Sequence, residues 1–467
     1  MFKFFPKLSF THLRALFQEQ SALKKQAIMG VFWSVGIYGI ATVVRVGSSL
    51  IMTRLLVPEL FGLMNLVYIF IVGLHLFSDV GSGPTIIRSD RGDDPEFLNN
   101  VWTIQVIRGV LLWIGCLFLA VPAANIYGEP KLIWLLPIAG LTCISGGFHS
   151  TSVFTLTRHM EPGKWSRFEL QNQIIGTSLM ITLAWFNRNI WALVIGYVLS
   201  SVIPMVRSHV LIPNYRNRFA WNWSIVKEMA TFGRWILLST MLTFMAGQVD
   251  KLLIAKVVSW QFLGIYGVVM AISEMPRSII ERVVDQVIFP AVSQLIDLPR
   301  ADLRQKLLHN RRPVLLAMAL GLSLLVCFGD GVVSIMYDQR YASGSWMLPL
   351  LALGIWPNVL FQTLYPLLFA LSKPQYQTWG NFGKFVFTGV GIPLAFSKFG
   401  EVGVILVIAF NDLPLYAAIA YGLWRERLTS IQQDIGATAL FLGMLAGFLS
   451  LRYALGWGLP IDRLWMT

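Results

Sequence analysis

Apolar runs of close to twenty residues recur along almost the whole chain, thirteen of them between residues 26 and 452. A helix needs about 20 residues to cross roughly 30 Å of hydrocarbon, and only helices or closed barrels satisfy every backbone polar group there. Runs of this length recurring along the chain predict an all-α polytopic membrane protein. Composition agrees: 55% of the 467 residues are hydrophobic and 13% charged, against roughly 25% charged in a soluble domain. No segment between the runs is long enough for a separate soluble domain.

The excess of 37 Lys and Arg over 24 Asp and Glu would suggest nucleic acid in a soluble protein. Here the basic residues sit in short loops beside the apolar runs, and no basic stretch forms a docking face for nucleic acid. With the N-terminus inside, alternate segments on the inner side carry 23 Lys and Arg and the outer loops carry six. Positive residues concentrate on the cytoplasmic side, so a cytoplasmic N-terminus is expected. Residues 1–25 mix Lys and Arg with Phe and Leu and contain no uninterrupted apolar stretch before a cleavage site. They read as an amphipathic interfacial arm, not a signal peptide. Cys116, Cys143 and Cys327 lie inside apolar runs without metal-ligand spacing and read as small buried hydrophobes.

An internal repeat divides the chain. RLLVPELFG (54–62) aligns without gaps onto KVVSWQFLG (256–264), placing Arg54 over Lys256 and Gly62 over Gly264. Both stretches join one long apolar run to the next. Two six-helix lobes follow, 26–212 and 230–423, in the same orientation, with an extra C-terminal helix and tail over 435–467. Transporters built from repeats bind substrate between the halves near the bilayer midplane.

Ionisable side chains inside the runs carry the functional information, because each costs at least about 2.5–3.5 kcal/mol at a helix centre. Basic ones include Arg45, Arg108, Lys251, Arg277, Arg282 and Lys384; acidic ones are Asp79, Asp250, Glu274, Glu281, Asp285 and Asp412. In SEMPRSIIERVVDQVIFP (273–290), Glu274, Arg277, Glu281 and Asp285 recur every three or four residues and share a helical face. That face reads either as an intrahelical ion-pair ladder or as the lining of an aqueous cavity. Arg45 reads as a lobe-packing arginine or as a guanidinium fork for phosphate. Each acid is a candidate resting partner for such a cation or a proton or sodium site. No GxxxxGK[ST] loop, no HExxH and no large outer loop suited to a glycosyl transferase occurs in the sequence. No catalytic residue, metal site or cofactor is therefore expected, and the chain reads as a transporter.

Seven stretches in order resemble one family: RLLVPELFG (54–62), DVGSGPTIIR (79–88), YGEP (127–130), ATFGRW (230–235), VDKLLIAKVVSWQFLGIYGVV (249–269), VIFPAVSQL (287–295) and YDQRYASGSWMLPLLAL (337–353). The chain resembles the Wzx-like oligosaccharide flippases, the polysaccharide-transport branch of the MOP superfamily that also holds MATE exporters and lipid II flippases. The resemblance implies two pseudo-symmetric six-helix bundles that alternate between inward- and outward-open states. It implies transport of undecaprenyl-pyrophosphate-linked oligosaccharide repeat units across the bacterial inner membrane for exopolysaccharide, capsule or lipopolysaccharide O-antigen synthesis. It also implies H+ or Na+ coupling, and polysaccharide polymerase and chain-length proteins as partners. Flippases of this kind are thought to hold the pyrophosphate with basic residues, and the positions that fit are Arg45, Arg277 and Lys384, with Lys251 and Arg282 behind them. A MATE-like drug or cation exporter is the alternative within the fold, expected to have an acid-dominated cavity. A membrane glycan polymerase or ligase is the alternative outside it. The loop RSDRGDDPEF (88–97) departs from the pattern by being net acidic on the expected cytoplasmic side.

Overall fold

A computed structural model of the chain describes residues 36–462, apart from 38, 80, 90, 160–161, 213–214, 285–287, 290–291, 293–297, 372 and 461. The N-terminal arm expected over 1–25 and Asp285 lie outside the described residues. The first lobe contains α1 (39–55), α2 (Pro58–Leu76), α3 (Ser82–Arg88), α4 (Pro95–Tyr127), α5 (Leu132–Gly147), α6 (Ser152–Arg158), α7 (Pro162–Phe186) and α8 (Ile190–Ser208). The second contains α9 (Trp223–Val257), α10 (Trp260–Val283), α11 (Arg300–Met336), a 3-10 turn (Gln339–Gly344), α12 (Met347–Gln362), α13 (Tyr365–Ala370), α14 (Gln375–Ala409) and α15 (Leu413–Arg425). A last helix, α16 (Ile431–Ala454), packs along α11. No strand occurs among the described residues.

Among the described residues eight helical stretches are long and apolar enough to cross a bilayer, and one of them, 375–425, is 51 residues long. That stretch turns back on itself at Gly400, whose φ of 58° is outside the helical region and is open to glycine at little cost. Several expected spans are two helices in series: α2 and α3, α5 and α6, and α12 and α13 each divide one apolar run. Local chemistry sets the ends. Pro58 and Pro95 stand in the first turns of α2 and α4, where a missing N–H costs nothing, and the Asp94 side chain accepts from Glu96 N at 3.0 Å. Asn189 caps α8 and Ser259 caps α10, accepting from Ala192 N at 3.2 Å and Phe262 N at 3.1 Å, the usual N-cap arrangement.

The three cysteines are buried, as expected. Arg158 organises the acidic 88–97 loop. It donates to Asp93 at 3.0 Å and to the carbonyls of Ile86, Ile87 and Ser89, while Arg91 pairs with Asp94. The loop's negative charge is thus largely answered by two arginines, one of which also closes the end of α3.

Two buried ion pairs fasten α16 to the second lobe. Arg452 meets Asp330 with both guanidinium nitrogens, at 2.6 and 2.7 Å. Arg311 pairs with Asp434 and also donates to Thr363 Oγ1 at 2.6 Å and Leu360 O at 3.0 Å. Tyr416 and Ser430 hydroxyls each donate to Asp434 at 2.9 Å. Removing one partner of a buried pair strands the other charge, at about 3–5 kcal/mol, whereas replacing both by apolar residues is close to neutral. Arg452→Ala is therefore expected to lower the thermal midpoint in detergent sharply, and Arg452→Met with Asp330→Leu to recover most of the loss.

Candidate functional site

The two repeat copies meet face to face. A Cβ on Gly264 would lie 1.8 Å from the Pro58 carbonyl oxygen, and one on Gly62 would lie 2.2 Å from that of Trp260. Only glycine at both positions lets α2 and α10 approach so closely, the small-residue packing common between membrane helices. A side-chain clasp closes the same end. Arg340 donates to the carbonyls of Thr53 (3.2 Å) and Arg54 (3.0 Å), and the Tyr341 hydroxyl donates to Leu56 O. Asp338 accepts from Arg340 Nε at 2.9 Å and aims the guanidinium.

That hydrogen bond from Arg340 holds the Asp338 carboxyl below the usual carboxylate range. A depressed carboxyl favours the paired state above its unfolded pKa and loses that contribution only as pH falls through the lower, folded value. Closure of this end is therefore expected to be unchanged between pH 5 and 8, and to weaken in Arg340→Ala at every pH in that range. Labelling of a cysteine placed at Ser49 in the cleft by an impermeant thiol reagent from the clasped side, relative to a fully exposed cysteine at the same pH, measures both.

Away from the clasp the lobes part and enclose a cleft in two stacked sections. The deep section, about 480 Å³, is lined by Ser49, Tyr68 and Tyr197 from the first lobe and Lys251, Tyr266 and Glu274 from the second. The outer section, about 490 Å³, is lined by Arg45, His149, Glu169 and Gln173 on one side and Arg282 on the other. Four helices, α1, α7, α8 and α10, run through both. Arg45 and Ser49 are one turn apart on α1, and Glu274 and Arg282 are two turns apart on α10, about 12 Å along the axis. Arg45 is exposed to the cleft. The outer section thus sets a guanidinium from each lobe around one volume.

Arg277, Lys384 and Asp412 converge elsewhere, within the second lobe. Asp412, 1% exposed, stands at the break between α14 and α15 and is bound by Arg277, by Lys384 Nζ at 2.7 Å and by Asn358 Nδ2 at 3.1 Å. Arg277 also reaches Glu274 at 3.1 Å. Two of the cations that fit a phosphate site thus close on a buried carboxylate, with side chains 20% and 13% exposed. The shared face of α10 is in part the ion-pair ladder and in part the cavity wall, because Glu274 belongs to both.

The remaining candidates take separate places. Lys251 lines the deep section and donates to Gln248 at 2.9 Å. Asp250 is buried and accepts the Tyr266 hydroxyl at 3.1 Å. Glu281 accepts from Gln362 at 3.3 Å. Asp79 accepts Gly81 N at 2.9 Å in the turn after α2. Arg108 ends α2 by donating to His75 O at 2.6 Å and Ser78 Oγ at 2.9 Å, a cation at a helix C-terminus. Among the described residues no cluster of His, Cys, Asp or Glu is arranged to hold a metal.

Sequence reasoning missed Glu169 as a cleft residue and the Arg311–Asp434 and Arg452–Asp330 pairs. Glu169 stands second in the apolar run 168–187, just after Lys164 and Arg167, so it did not stand out as a charge inside a span. Arg311 reads as an ordinary inner-side loop arginine because α11 starts at Arg300, well before its apolar run.

The polysaccharide biosynthesis protein family matches residues 51–346, more than half the chain. The chain belongs to that family. A membrane protein from the cps region of Klebsiella pneumoniae is 22% identical over 411 residues, covering 85% of this chain and 82% of that protein. The succinoglycan biosynthesis transport protein ExoT of Rhizobium meliloti (strain 1021) is 22% identical over 336 residues, covering 71% of this chain and 66% of its own length. Among solved structures, the lipid II flippase MurJ in an inward-closed conformation superimposes with a TM-score of 0.71 at 12% identity. The match covers 89% of this chain and 91% of that one. The fold is the MOP type that the sequence resemblance implied, and this family member is a multi-pass membrane protein.

Proposed function

We propose that this family member flips a lipid-linked oligosaccharide, a repeat unit on undecaprenyl pyrophosphate, from the cytoplasmic to the periplasmic leaflet of the inner membrane. The observation that carries the reading is the outer cleft section, where Arg45 and Arg282 from opposite lobes face one volume. A pyrophosphate between them would take charge-assisted hydrogen bonds from both, and a guanidinium fork matches its oxygens better than an ammonium does. The polyprenyl tail stays in lipid between the lobes, so neither the tail nor the polar head is transferred into the wrong medium. The charge bias of the loops sets the N-terminus, and with it the mouth beside Arg45, in the cytoplasm. The clasp at Arg340 then closes the periplasmic end, which is the state that loads cargo.

Arg277 and Lys384 keep a different task in this reading. Their shared bond to Asp412 holds the break between α14 and α15 and fixes the wall behind Glu274. Asp250, held by a tyrosine hydroxyl and by no ion pair among the described residues, is the acid we assign to proton or sodium coupling. An ion there shifts the lobe equilibrium by its differential affinity for the two states. Polysaccharide polymerase and chain-length proteins are the expected recipients of the flipped unit. Reconstitution into vesicles tests the reading. Lipid-linked glycan extracted from producing cells should become accessible to an impermeant glycosidase only when the protein is present, and more slowly when ion gradients are collapsed. Equal exposure in protein-free vesicles would contradict it.

A further inference from the structure

The deep cleft section has a chemistry of its own. Tyr68, at the middle of α2, is 47% exposed, although tyrosines of membrane helices concentrate at the two interfaces where the hydroxyl meets water. Its ring stands edge-on to that of Tyr197, centroids 6.3 Å apart at 76°, and Phe61 lines the same volume. Among the rings stand an amide, an ammonium and a carboxylate: Asn65, Lys251 and Glu274. The amide is given room, since Asn65 Nδ2 lies 3.2 Å from where a side chain on Gly267 would begin. A volume of about 480 Å³ walled by aromatic faces with a few convergent donors and acceptors is a small-molecule site.

We infer that this section is a sugar subsite, in which Tyr68 and Tyr197 pack against pyranose faces while Asn65, Lys251 and Glu274 take ring hydroxyls. The inference rests on the reading of the cleft as the path of a lipid-linked glycan. A pyranose presents an apolar, slightly positive C–H face to the negative face of an aromatic ring and a rim of hydroxyls to polar side chains. The order of groups along the ligand matches the order along the cleft. The tail leaves toward lipid, the pyrophosphate follows at Arg45 and Arg282, and the sugars extend past it toward Glu274. The 12 Å or so of α10 between Arg282 and Glu274 suits a short oligosaccharide. The outer section therefore reads the carrier common to all such lipids, and the deep section reads the glycan.

Binding in detergent to two probes separates these roles: undecaprenyl pyrophosphate alone, and lipid-linked glycan extracted from cells depleted of this protein. The wild type is expected to bind the glycosylated probe at least tenfold more tightly. Tyr68→Ala with Tyr197→Ala should bring it down to the affinity of the bare lipid and leave that affinity unchanged, while Tyr68→Phe with Tyr197→Phe keeps the tenfold difference. The inference is overturned if the wild type shows no gain from the sugar. It is overturned equally if the alanine variant keeps the gain or weakens both probes alike, or if the phenylalanine variant loses it. Bare-lipid binding that ignores Arg45→Ala with Arg282→Ala would instead sink the reading of the outer section, whatever the tyrosines do.

Discussion

Gly264→Ala is expected to leave the protein inserted and folded yet reduce glycan export at least tenfold. The added carbon would lie 1.8 Å from the Pro58 carbonyl oxygen, and backbone cannot swing aside as a flexible side chain can. Relief requires α2 and α10 to separate, which opens the clasped end. Overpacking of this kind costs about 1–3 kcal/mol, enough to change a two-state population roughly five- to 150-fold. Gly62→Ala, aimed at the Trp260 carbonyl, should act in the same direction, and the pair should be less than additive because both perturb one contact. Gly443→Ala, with nothing within 4 Å of the new carbon, is the control that should export normally. A cysteine at Ser49, in the deep section, measures the state. It should be shielded from an impermeant thiol reagent on the clasped side in the wild type and react in Gly264→Ala. The native cysteines are buried and contribute little background.

Arg45→Ala with Arg282→Ala should abolish export and weaken undecaprenyl pyrophosphate binding by two orders of magnitude or more. Charge-assisted bonds are worth about 1.5–3 kcal/mol each, and the two guanidinium groups face the ligand from opposite lobes. Lysine at both positions should restore only part of the affinity, because an ammonium supplies charge without the fork. Arg277→Ala is expected to fail differently. It leaves Asp412 buried with one cation fewer, so the loss should appear in thermal stability before it appears in ligand affinity. Melting curves recorded beside binding curves distinguish the two arginines.

The repeat was legible in the sequence because the 54–62 and 256–264 stretches keep a helix-to-helix turn and a glycine at the same place, but their packing on each other was not, since an alignment reports likeness and never contact. The depth of the charges was legible too, since an Asp or Arg within an apolar run stands out. Their pairing was not. Arg277 and Asp412 are separated by 135 residues, and helical periodicity reports which face a residue occupies on its own helix, never which neighbour it meets. Arg277 and Lys384 therefore looked like equals of Arg45, whereas the fold spends both on one buried carboxylate. Arg282 stood behind Arg45 in the sequence and faces the same cleft section as Arg45 in the structure. Tyr68 carried no signal at all, because a tyrosine in an apolar run reads as interfacial until its position in the span is known.

In the proposed function the cleft holds an anionic head group between its two opposed arginines. A cryo-EM structure with undecaprenyl pyrophosphate bound tests it most directly. Pyrophosphate density is expected between Arg45 and Arg282, with the tail leaving the cleft into lipid. Density beside Arg277 and Lys384, or outside the inter-lobe cleft, would contradict it.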